Sequence, residues 1–373
     1  MNDICLFLSF KSESFRFFCI IIAYSRFCQQ AFEKIPLTFL HGFITVLPNL
    51  PYGTRNDSIG VTVLILTVTL NTSIDKLYLM ESIHPETVMR VKEVHNTAGG
   101  KGLNVSRVAV KLGEPVTAMG FTGGFNGQYL ESLLTSSGIR CAFTHVAGET
   151  RSCINCWDLS TDRSTEYLEP GEPVTSGDVA RFLSDFIAFL PEADVVTISG
   201  SMPNGVPEDF YCELVSRCKT AGVPVLVDTS GSRLIAAVKE KPTLIKPNED
   251  EILQLTGRSF SGPGEAVSCL KQLVADGLPN VVLSMGAQGA ILACREGVFR
   301  GVPPQITPKN TVGCGDSMLA GFALAFARRM PVEEGLRTAL AVSAASALSL
   351  LTGDFDPADY ERLYPRITIE KLA

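Results

Sequence analysis

The chain has 373 residues, of which 46% are hydrophobic and 19% charged, with a net charge of −7. That balance argues against a disordered chain, offers no broad basic face to nucleic acid or to anionic membrane, and leaves room for one large α/β domain or two modest ones. Eleven cysteines lie scattered through apolar runs instead of framing a short loop-rich chain, so they read as reduced thiols in a cytosolic protein.

Residues 1–62 do not resemble the rest. They are crowded with Phe, as in FLSFKSESFRFFCIIIAYSRF, and lack an amphipathic period. Their longest apolar run, Phe17 to Tyr24, is shorter than the roughly 20 residues a membrane span needs. The expectation is a leader outside the fold, from a start assigned upstream of the true one. A disordered or interfacial extension is one alternative. A cleaved signal is the other, against which stand Asp3, Glu13 and the lack of a small-residue cleavage site. At Val63 the strand VLILTVTL opens a domain expected to run over residues 63–373.

From there strand-like and helix-like segments alternate. A helix is expected through Val105, Val108, Ala109 and Leu112, then the strand VTAMGF and a helix near Gln128 to Ser136. DVVTISG, VPVLVDTSG, PTLIKPN and NVVLSMG follow as apolar strands, each ending in a small or polar residue, the last leading into a hairpin. Such near-continuous apolar runs suit a parallel sheet covered on both faces, hence a three-layer α/β/α fold. TVMRVKEVHNTAG and CINCWDL alternate more, and predict a small β lid with segments near residues 76–96 and 150–170. Cys153 and Cys156 are three apart on such a strand and so point to opposite faces, which reads as packing and not as a metal or redox pair. The four histidines (His41, His84, His95, His145) show no ligand spacing, and no zinc is expected.

Ligands of open parallel sheets gather at the carboxyl ends of the strands. The polar residues fall there: Asp75, SGS at 199–201, Asp228, KPNEDE at 246–251 and the loop before Asp316. In NTVGCGDSMLAGF, small residues precede a buried helix and Asp316 sits in its first turn, so free backbone N–H groups and a carboxylate face the same anion. TAGGKGLNVSR opens another helix with glycines and Asn104, yet Gly102 follows Gly100 and Lys101 where a phosphate-binding P-loop needs Ser or Thr, and no G-x-G-x-x-G occurs. Asn248 and Glu251 have the spacing of a capping box; the competing role is to hold, through water, the Mg²⁺ of a nucleoside triphosphate.

GGKGLNVSR early and NTVGCGDSMLAGF late, with TVTLNTSID, TISGSMP, VDTSG, KPNEDE and SMGAQGA in matching order between them, resemble ribokinase-like sugar kinases, the phosphofructokinase B family. The resemblance implies a ribokinase-like fold with ATP and Mg²⁺ as cofactors. It implies Asp316 as the base, and Gly313, Cys314 and Gly315 as the anion hole. Asp75, Gly99, Gly100, Lys101 and Asn104 would hold the sugar. Lys246, Ser284, Gly286 and Gly289 would border the nucleotide, and Asn248 and Glu251 would serve the metal. LNTSID is nearest the phosphosugar branch, although Thr72 and Ser73 depart from that branch's usual N-P-A. Arg90 and Arg151 match the positions that hold the phosphate already on the acceptor there. The implied reaction is phosphorylation of fructose 1-phosphate, with tagatose 6-phosphate and fructose 6-phosphate as alternatives and a silent sugar-phosphate sensor as a distant one. The expected partners are small molecules and a second copy through the lid, without nucleic acid or membrane.

Overall fold

The computed structural model describes residues 63–84, 86–260 and 263–373, together with two short strands, Leu6–Leu8 and Ile20–Ile22, that pair antiparallel. The expectations for the leader otherwise lie outside the described residues. Contacts divide the chain into two compact units, Met1–Gly60 and Val61–Ala373. The second carries an 11-stranded sheet, a four-stranded sheet and the helices of the described residues.

Across the large sheet the order is Thr368–Lys371, Gly297–Val302, Ala290–Cys294, Asn280–Ser284, Leu244–Ile245, Val225–Asp228, Val195–Ser199, Ile65–Asn71, Val116–Thr122 and Arg140–Cys141. Thr144–His145 also pairs with Val116–Thr122. From Asn280–Ser284 to Arg140–Cys141 every pairing is parallel, and the other three strands add an antiparallel edge. The parallel strands read as unbroken apolar runs because both faces are covered. On one face Leu103, Val108, Leu319, Phe322, Leu340 and Val342 pack from helices Lys101–Lys111, Cys314–Ala327 and Val332–Ser346. On the other, Phe182, Phe186, Tyr211, Leu214, Leu234 and Leu270 pack from the helices between Ser176 and Ala275. This is the expected three-layer fold. The helix predicted near Gln128 starts a turn earlier, at Gly124, where Gly123 and Gly124 let the chain leave the Val116–Thr122 strand abruptly.

Strand Ile65–Asn71 has Val195–Ser199 on one side and Val116–Thr122 on the other. The topology reverses there, which opens a crevice at the carboxyl ends. Only Thr72 separates this strand from Ser73–Met80, and its Oγ1 donates to Phe121 O at 2.6 Å. The chain therefore passes from the sheet directly into the lid, whose order is Arg163–Leu168, Arg151–Asp158, Ser73–Met80 and Glu93–Gly99. Cys153 lines the crevice beneath the lid and Cys156 does not. Among the described residues no helix is long and apolar enough to cross a membrane.

Candidate active site

Beneath the lid lies a cavity of about 500 Å³, lined among others by Asp75, Gly100, Lys101, Asn104, Arg151, Gly313, Gly315 and Asp316. A larger cavity, about 1000 Å³, opens at the opposite, amino-terminal ends of the strands, beside Asp194, Pro224 and Asn280, and holds none of the candidate residues. Chemistry, not size, therefore locates the site.

Asp316 stands in the first turn of helix Cys314–Ala327 and is buried. Asn104 Nδ2 donates to its Oδ2 at 2.7 Å, and Lys101 Nζ lies 3.6 Å from its Oδ1. Burial pushes the Asp316 carboxyl above the usual carboxylate range; the Lys101 charge pulls it back and Asp228 pushes it up again. A carboxylate so held is a better proton acceptor than a solvated one. The helix starts from Gly313, whose φ of 80° is left-handed, and a Cβ there would meet Thr352 Cγ2 at 2.5 Å. The Cys314 N–H turns back to Thr311 O at 3.3 Å. Among the described residues the N–H groups of Gly313, Gly315 and Asp316 find no acceptor, as the opening of a helix leaves them. The free donors of this loop thus include Asp316 itself, with Cys314 engaged elsewhere.

At the end where the sugar is expected, Asp75 pairs in register with Thr97, and Ser73 Oγ donates to its Oδ1 at 2.6 Å. Burial raises the Asp75 carboxyl, against the Ser73 hydrogen bond and the charges of Arg107 and Arg151. Gly99 does not line the cavity; it makes room for Asp75, since a Cβ there would sit 2.0 Å from Oδ1. Arg151 opens its lid strand, with Nη1 donating to Glu169 O at 2.9 Å and Nη2 to Asn71 O at 3.2 Å, while its buried Nε has no partner. Arg90 is exposed on the segment joining two lid strands and lies outside the cavity.

Toward the expected nucleotide side, Lys246 is buried with Nζ 3.2 Å from Asp228 Oδ2, and Lys101 Nζ approaches the same oxygen at 3.8 Å. Asp228, then Asp316, holds the Lys101 ammonium above its ordinary range. Asn248 and Glu251 do form a capping box, Glu251 N donating to Asn248 Oδ1 at 2.8 Å and Asn248 N to Glu251 Oε2 at 2.9 Å. Burial raises the Glu251 carboxyl, while Lys246 and Lys101 pull it down. Ser284 ends its strand and bridges to Asn248, and Gly286 and Gly289 form the following turn, with Met285 N donating to Gly289 O at 2.9 Å. Lys246, Asn248, Glu251, Ser284, Gly286 and Gly289 do not line the cavity under the lid, whereas Lys101 does. Among the described residues no group of three His, Cys, Asp or Glu forms a metal cage. Mg²⁺ keeps much of its water and relies on substrate phosphates, so the set fits it in another way: Asp228, Glu251 and Asp316 set three carboxylates against Lys101 and Lys246.

The pfkB family of carbohydrate kinases matches residues 67–359. The chain belongs to that family. Its members transfer a phosphoryl group to a sugar hydroxyl. Phosphofructokinase-2 from Escherichia coli is 29% identical with a TM-score of 0.77, over 82% of this chain and 99% of that one. A Staphylococcus aureus protein provisionally assigned as a phosphofructokinase is 30% identical with a TM-score of 0.73, over 83% and 99%. A Thermotoga maritima protein provisionally assigned as a 1-phosphofructokinase is 29% identical with a TM-score of 0.73, over 83% and 100%.

One residue of the kinase escaped the reading of its sequence. Arg107, half-buried, donates to Ala98 O, to Asn104 Oδ1 at 2.6 Å and to Thr352 O at 2.9 Å. It ties the lid's last strand, the residue that holds Asp316, and the loop against Gly313 to one guanidinium. Its spacing of three from Asn104 on a helix was the available signal.

Proposed function

We propose that this kinase transfers the γ-phosphoryl group of ATP to a hexose phosphate, with fructose 1-phosphate as acceptor, giving fructose 1,6-bisphosphate and ADP. Asp316 accepts the proton of the attacking hydroxyl, whose oxygen forms the new O–P bond as the bridge to the β-phosphate breaks. The N–H groups of Gly313, Gly315 and Asp316 receive the charge on the transferred group, where preorganised donors matter most. Asp75, Gly100 and Asn104 orient the sugar, Lys101 steadies Asp316, and Lys246, Ser284, Gly286 and Gly289 border the nucleotide. Asn248 and Glu251 would hold Mg²⁺ through water, and the metal would supply charge neutralisation to the triphosphate.

The observation that carries the phosphorylated acceptor is Arg151, a guanidinium on the cavity wall with a buried, unpartnered Nε. Its planar fork suits phosphate oxygens. Arg90 would join it only by movement of the lid or from a second copy. Support also comes from the similar proteins: E. coli phosphofructokinase-2 has been solved with fructose 6-phosphate and, in an inhibited form, as a tetramer. We read this chain as a cytoplasmic homodimer through its lid, which exposes Val88, Met89, Val94 and Tyr167.

A coupled ADP-release assay over fructose 1-phosphate, tagatose 6-phosphate, fructose 6-phosphate and free fructose tests the assignment, with Arg151→Ala and Arg90→Ala alongside. Highest kcat/KM on fructose 1-phosphate, eroded by Arg151→Ala, supports it. Preference for free fructose with silent arginines would leave the family intact and remove the acceptor.

A further inference from the structure

We propose that Arg233 is a specificity-determining residue that binds the phosphate the acceptor already carries, opposite Arg151. This rests on the phosphorylated-acceptor reading above. Arg233 lies in the first turn of helix Ser232–Lys239, half-buried, and lines the same cavity as Arg151. Among the described residues no acid pairs with it, no hydrogen bond engages it, and its Nε is buried without an acceptor. A buried donor left without an acceptor is costly, more so where the group is charged. An anion in the cavity would remove that cost.

The surrounding cations are differently placed. Lys101 faces Asp228 and Asp316 at 3.8 and 3.6 Å. Arg107 is consumed by three oxygens. Lys76 also lines the cavity, but from a lid strand, whereas Arg233 is fixed to the body of the sheet.

Hydrogen bonds run from Arg151 along the floor of the cavity that Arg233 also lines. Arg151 Nη2 donates to Asn71 O at 3.2 Å, and Asn71 Nδ2 donates to Ser201 Oγ at 3.1 Å. Tyr211 OH donates to Gly200 O at 3.2 Å and lies 3.4 Å from Ser201 O, while Thr229 Oγ1 donates to Gly200 O at 2.8 Å. The buried Tyr211 phenol, raised by its burial, is drawn back by the Arg233 charge. The two guanidinium groups therefore border one floor, built from Asn71, Gly200 and Ser201, with the hydroxyls of Ser201 and Ser230 on the cavity wall. Ser284, Gly286 and Gly289, where the nucleotide is expected, do not line this cavity. The transferred phosphoryl group reaches this cavity at Gly313, Gly315 and Asp316, so the anion assigned to Arg233, on the floor that Arg151 also borders, is the acceptor's own.

The test uses the full chain as wild type, Arg233→Gln and Arg233→Lys, with the hexose phosphate preferred in the assay above. Steady-state kinetics give separate KM values for acceptor and ATP, and inorganic phosphate serves as a competitor of the acceptor. Arg233→Gln should raise the acceptor KM and the phosphate inhibition constant by about 10- to 100-fold, the loss expected for a charge-assisted pair, and leave the ATP KM within about twofold. Arg233→Lys keeps the charge without the fork and should fall between, and it carries the test alone if Arg233→Gln fails to fold. An unchanged acceptor KM in a folded variant overturns the proposal, as does a rise confined to ATP. If the wild type uses free fructose as well as its phosphates, the acceptor reading itself fails and takes this proposal with it. If the wild type demands a phosphorylated acceptor while Arg233→Gln does not notice, only this proposal fails.

Discussion

At the scale of single residues, Asp316 is held in tension between burial, which disfavours its charge, and Lys101, which favours it. Asp316→Asn should lower kcat by about 10²–10⁴-fold while acceptor and nucleotide still bind, since only the proton acceptor is lost. Calorimetric titration beside turnover separates the two effects. Stability should move the other way. A carboxyl whose pKa is raised in the folded protein keeps its proton where the unfolded chain has lost it, so ionising it costs stability. That cost appears as pH climbs from the ordinary 3.8 through the raised folded value, and is fully present above it. At neutral pH Asp316→Asn should therefore melt higher than the wild type, and a melting temperature below it would contradict the sign. Lys101→Met removes the charge that draws the Asp316 carboxyl down, so the acid limb of kcat/KM should shift to higher pH. A pH–rate profile of that variant checks it.

At the scale of elements, the loop-to-helix junction at Gly313 governs the proposed anion hole. Gly313→Ala asks a side chain to adopt φ of 80° with a Cβ 2.5 Å from Thr352 Cγ2. Left-handed backbone alone costs roughly 1–2 kcal/mol, and relief of the contact must shift the loop that Arg107 ties down through Thr352 O. We expect a lower melting temperature together with a kcat reduced about 10²-fold, near the loss of one anion-hole donor. Wild-type kcat in this variant would mean that the Gly313 N–H does not face the phosphoryl group. The helix behind Gly313 was legible in the sequence because its apolar period and flanking small residues agree, and so were the buried strands. Local pattern says less about side chains that act across elements. Arg107 and Arg233 both resemble solvated helix residues in their own segments, and only tertiary packing ties down the one and turns the other into a cavity. Arg90 shows the converse: its segment resembles a lid, but sequence does not set the distance between a lid turn and the sheet. Asn248 and Glu251 satisfy each other as a cap, so their spacing speaks for helix and metal alike.

At the scale of the whole molecule, the lid is the part least accounted for by its own contacts. Every residue of its outer strand Arg163–Leu168 is exposed, and Val88, Val94 and Tyr167 are 89%, 52% and 61% exposed. A sheet with a bare edge and apolar residues in water invites a second sheet. The other face roofs the cavity through Asp75, Cys153 and Leu168. Pairing two lids would bury the apolar residues and stiffen that roof in the same event, so assembly and acceptor binding should be linked. Val88→Asp combined with Val94→Lys places charge on the exposed surface without touching a cavity residue. Light scattering at micromolar concentration should show a dimer for the wild type and a monomer for the double variant. The monomer should also require several-fold more acceptor for half-maximal rate, at an unchanged KM for ATP, because the nucleotide side does not depend on the roof. A wild type that is already monomeric removes the dimer. A variant that dissociates with its acceptor KM unmoved shows instead that each lid closes over its own cavity unaided.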